Sequence, residues 1–140
     1  LRRMKEHGNV LLSGPAKEAV SGVIYDVTST PSSFAEANAD VVTTFLKVTS
    51  EMNTMYAENP EPMYEAISIE AGMDMEGTKA ILAVMAFMSA ETQLSDQWMG
   101  KWLAGDLKRQ ALALEAAGKI TALDDYDALV NTTYLAAAAK

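Results

Sequence analysis

The stretch from Ile24 to Tyr56, IYDVTSTPSSFAEANADVVTTFLKVTSEMNTMY, constrains the fold more than any other part of this chain. It opens with Ile24–Thr30, rich in β-branched and aromatic residues, which reads as a strand. Pro31 cannot donate to a sheet ladder, so that strand is expected to stop there. The chain then restarts as its longest amphipathic helix, predicted over Val41–Tyr56. Val41, Phe45, Val48, Met52 and Met55 recur at four- and three-residue steps, which aligns five apolar side chains on one stripe. Burial of Phe45 and Met52 is therefore expected. A strand feeding a buried helix through a short polar turn is an α/β unit, and the rest of the chain reads as helices packed near it.

Taken in order, Leu1–His7 reads as a helix end stopped by Gly8, and Val10–Ser13 as a second short strand. Gly14–Gly22 is a loop with room for one helical turn. Ser32 or Ser33 can cap a short helix over FAEAN, and Asn38 or Asp40 can cap the long one. Asn59-Pro60-Glu61-Pro62 is a rigid turn before a helix over Met63–Ala71, which Gly72 ends. Asp74 is placed to cap a helix over Met75–Met88, apolar over much of its circumference and so expected to be deeply buried. A short helix over Gln93–Leu103 capped by Ser95, another capped by Asp106 that runs to Ala117 and is ended by Gly118, a last short helix begun by Asp124 or Asp125 through Val130, and a fraying tail over Ala136–Lys140 complete the list. The expected class is α/β but helix-dominated, with two short strands and about six helices. Two lone strands lack partners, and the chain opens at Leu1 without a starting Met or targeting segment. The expectation is a piece of a longer protein.

At 140 residues and 49% apolar composition the chain is one domain's worth of globular sequence. No apolar run approaches the ~20 residues of a membrane span. Nineteen acids against 11 bases give a net charge of −8, the wrong sign for binding a phosphate backbone, so nucleic acid is not an expected partner. There is no cysteine and His7 is the only histidine, which leaves no thiolate nucleophile, His triad or multi-His metal site. Asp124, Asp125 and Asp127 lack the glycine and downstream Glu of a calcium loop, and the eight glycines form no phosphate-binding run. Neither a metal nor a cofactor is expected. The nine Met residues and the Trp98/Trp102 pair follow apolar faces and read as core.

Asp26 stands apart. It lies inside an apolar, β-prone run, where a carboxylate is costly unless it has a partner or faces a cleft. It is either an exposed edge acid or an acid facing a ligand, and composition does not choose between them.

The segments KEHGNVLLSG (Lys5–Gly14), YDVTSTPSSFAEANADVVTTFLKVT (Tyr25–Thr49), ETQLSDQWMG (Glu91–Gly100), LALEAAGKI (Leu112–Ile120) and NTTYL (Asn131–Leu135) occur in an order that resembles the C-terminal part of the taurine and alkanesulfonate substrate-binding proteins of bacterial ABC importers, a branch of the type II periplasmic binding proteins. The likeness covers nearly all of this chain but about half of such a protein. It implies half of a two-lobed α/β fold, with residues 1–30 forming the end of the second lobe and the strand crossing the hinge. Residues 31–140 would form the C-terminal helical part of the first lobe. It implies a non-enzymatic, periplasmic protein that closes on a small solute and hands it to an inner-membrane permease, with a missing N-terminal half as its structural partner. Asp26 would meet the ligand's ammonium group, with Thr28 and Tyr25 as its neighbours in the site. Thr28 departs from the family, which commonly has an aromatic there, and this puts taurine itself in question. Nitrate, or an aromatic or pyrimidine-like solute, is the alternative ligand on the same fold; a freestanding helical interaction module is the alternative class.

Overall fold

The computed structural model describes residues 6–12, 16 and 23–140. It divides into two units, Leu1–Ser32 and Ser33–Lys140. The helix end read at Leu1–His7 lies outside the described residues up to Lys5, as does the Gly14–Gly22 loop apart from Ala16.

Among the described residues there are seven α-helices and no strand. The α/β expectation is therefore overturned, and with it the half of a two-lobed α/β fold. Val10, Leu11 and Leu12 lie in bends and open coil and are exposed, and Ser13 is not described. Ile24–Thr30 carries neither helix nor ladder. The physical reason is that β propensity measures fit to a pleated, half-buried surface, and without a neighbouring strand it creates no structure.

In the second unit α1 covers Ser32–Ala37 and α2 covers Ala39–Glu58. Asn38 between them does not cap α2 with its side chain; its Nδ2 turns back and donates to the Phe34 carbonyl at 2.9 Å. α2 runs two residues beyond the predicted helix at each end and stops where Pro60 forbids continuation. Helix α3, Glu61–Ala71, holds Pro62 in its first turn, where a missing N–H costs nothing. Gly72 ends α3 at φ 61°, its N–H reaching the Ile69 and Ser68 carbonyls. Asp74 caps α4 as expected, its Oδ1 accepting from the Gly77 N–H at 2.6 Å. Thr78, fully buried, donates its hydroxyl to the Asp74 carbonyl at 2.9 Å and is thereby satisfied.

α4 itself is shorter than predicted, Met75–Leu82, and residues 85–89 are open coil. Only Thr78 and Leu82 of α4 are buried, while Ile81, Val84, Met85 and Phe87 are exposed. Most helical stability comes from burying a face, and these side chains find no cover to reward another turn. Ser89, not Ser95, caps the next helix, α5 (Ala90–Leu94); Ser95 instead ends it, its Oγ donating to the Thr92 carbonyl at 2.7 Å. The chain then turns tightly. A Cβ on Gly100 would lie 2.8 Å from the Ser95 carbonyl oxygen, so no larger residue fits without moving backbone.

α6 begins at Trp102 and runs to Ala116, five residues earlier at its start than an Asp106 cap would allow. Asp106 is buried in its second turn, where Arg109 binds its Oδ1 through Nε and Nη2 and Gln110 donates to its Oδ2 at 2.7 Å. Gly118, at φ 68°, closes the helix as predicted. A small core of Ala104, Ala111 and Tyr126, flanked by Leu107, Ala122 and Val130, joins α6 to the 3-10 turn Asp127–Leu129. The Tyr126 hydroxyl accepts the Leu123 N–H at 3.0 Å. Finally α7, Thr133–Ala138, lies against α2 and α5 with Leu135 as its buried residue, so the Ala-rich end is helix rather than a frayed tail up to Ala138.

Leu135 is 4% exposed, the most buried of the larger apolar side chains. Leu135→Ala is expected to destabilise the chain by about 2–4 kcal/mol. Urea unfolding followed by circular dichroism checks this; a cost under ~1 kcal/mol would mean that α7 is not what holds α2.

Candidate functional site

α2 has two faces, and the fold uses the less apolar one. Val42, Thr43, Leu46, Ser50, Asn53 and Tyr56 are the half-buried positions. Helix geometry centres them about 130° round the helix from Val41, Phe45, Val48, Met52 and Met55, with Tyr56 at the border between the two stripes. Those five keep between 38% and 53% of their surface exposed. The predicted burial of Phe45 and Met52 is thus reversed, and Met52, Met55, Met75 and Met85 are not core.

Polar and aromatic contacts explain the choice. Asn53 Nδ2 donates to the Met88 carbonyl at 3.1 Å, and Gln93 Nε2 from α5 donates to the same oxygen at 2.9 Å. Tyr56 meets Phe87 edge-on at 4.8 Å and Tyr64 of α3 at 6.2 Å. Lys79 of α4 lies 4.8 Å from the Tyr64 ring centre and binds both carboxylate oxygens of Glu61, at 2.9 and 3.0 Å. The hydroxyls of Thr43, Thr49 and Thr54 fold back onto carbonyls four residues earlier, so they present little polarity outward.

A shallow groove of about 620 Å³ runs between α2, α5 and the end of α7, lined by Ser50, Thr54, Ala90, Glu91, Leu94, Ser95 and Ala139. Among the described lining residues Glu91 is the one carboxylate, beside hydroxyls and no base or second acid. That lining can accept and donate hydrogen bonds; it has no group arranged for proton transfer. Among the described residues no cluster of three His, Cys, Asp or Glu could hold a metal ion, and no helix is long and apolar enough to cross a membrane.

The residues singled out in the sequence lie in the first unit, on the open segment 23–31. Asp26 and Thr28 are exposed and Tyr25 is half-buried. Asn53 and Gln93, which share the Met88 carbonyl, were not picked out by sequence. No known protein family matches the chain, and neither a curated protein nor a solved structure does. The likeness to sulfonate-binding proteins rests on the quoted segments alone.

Two measurements follow from this geometry. Phe45→Ala is expected to cost less than about 1 kcal/mol, against the 3–5 kcal/mol of a buried phenylalanine. Asn53→Ala should cost about as much, roughly 0.5–1.5 kcal/mol, although it removes a single hydrogen bond. Denaturant titration of both variants decides; a Phe45→Ala cost above ~3 kcal/mol would show that the ring is covered. The second concerns Tyr56, whose phenol is pushed above its ordinary value by desolvation first, and by the Tyr64 hydroxyl second. A group raised in the folded state contributes stability that is complete below the unfolded value of about 10 and is lost as pH rises through the folded value. Ultraviolet titration should show one late-ionising tyrosine that moves earlier in Tyr64→Phe. A single ordinary transition in both proteins would contradict the contact.

Proposed function

We propose that this chain is part of the substrate-binding component of a bacterial ABC importer, one that captures a small sulfonate such as taurine in the periplasm and delivers it to a permease in the inner membrane. Asp26 carries this reading. It stands exposed in a β-prone segment with an exposed Thr28 two residues on and a half-buried Tyr25 beside it. A carboxylate and a hydroxyl two residues apart are thus both exposed on one open segment. The first suits an ammonium group and the second a sulfonate oxygen. The order of the quoted segments supports the same class, and a single histidine with no cysteine supports binding rather than catalysis. Nitrate and aromatic or pyrimidine-like solutes are the competing ligands.

A charge-assisted hydrogen bond between a carboxylate and an ammonium group contributes roughly 1.5–3 kcal/mol. Asp26→Asn should therefore weaken taurine by about tenfold to a hundredfold and leave ethanesulfonate, which has no amine, nearly unchanged. Calorimetric titration of the intact protein and the variant with both ligands tests this. Equal taurine affinity in the two proteins removes Asp26 from the site; no heat with either ligand in the unmodified protein removes the sulfonate reading.

The half-exposed stripe on α2 favours one other reading, a helical module that uses this face to pair with a partner protein. Contiguous apolar surface beyond a few hundred Å² is uncommon on monomers. Sedimentation of the 140-residue chain, with hydrophobic-dye binding alongside, is expected to show self-association or strong dye uptake. A compact monomer that binds no dye would count against the module and against an uncovered stripe.

A further inference from the structure

We draw no further inference here: the strongest candidate, the uncovered apolar stripe Val41, Phe45, Val48, Met52 and Met55 on α2, carries nothing beyond the readings above because nothing in the structure shows what covers it.

Discussion

The carbonyl of Met88 is where the second unit is tied together. It accepts from Asn53 of α2 and from Gln93 of α5, two elements far apart in sequence, and so fixes the open coil of residues 85–89 between them. Phe87, one residue earlier, meets the Tyr56 ring, and Tyr56 in turn meets Tyr64 on α3. The rotation of α2 about its own axis follows from these contacts. Turning the helix to bury Phe45 would pull Asn53 off the carbonyl and Tyr56 off both rings. Each hydrogen bond contributes only about 0.5–1.5 kcal/mol and each edge-on aromatic pair a similar amount. They prevail because no surface stands ready to receive the other face.

The size of what is left unused can be judged. Full burial of a large apolar side chain is worth about 1.5–3 kcal/mol, and five side chains remain about half exposed, so roughly 4–7 kcal/mol of burial is unrealised along α2 alone. That is comparable to the entire stability of an ordinary domain. The helices are thus held by their ends and by small local clusters more than by a common core. The largest such cluster is built from Ala104, Ala111 and Tyr126, of which only the tyrosine is large.

This division explains which features were legible in the sequence. Gly72, Asp74 and Gly118 work within a few residues of themselves, and each does what its chemistry indicates. The extent of α2 was legible for the same reason, since periodicity and Pro60 are local. Which face of α2 is buried was not, because the answer lies in Met88, Phe87 and Leu135, thirty to eighty residues away. The strands failed likewise: Ile24–Thr30 has the composition of a strand, but pairing is a property of two segments. Apolar character around Ala80–Met88 was read as burial, yet it records only that burial would be favourable. For Asp26, Thr28 and Tyr25 the sequence and the fold say the same amount, namely an acid, a hydroxyl and a phenol on one open segment.

Asp106 shows how a buried charge is tolerated in so thin a core. A carboxylate removed from water requires partners, and a partner on another element would tie the stability of α6 to that element's position. Two of its donors, Arg109 and Gln110, lie three and four residues along the same helix, so they arrive with the helix itself. The Arg109 side chain stays 62% exposed, keeping its charge in water while its guanidinium reaches back to the acid. Sequence misplaced this residue for a local reason: an aspartate ahead of a helical run reads as an N-cap, and only the start of α6 at Trp102 distinguishes a cap from an internal acid.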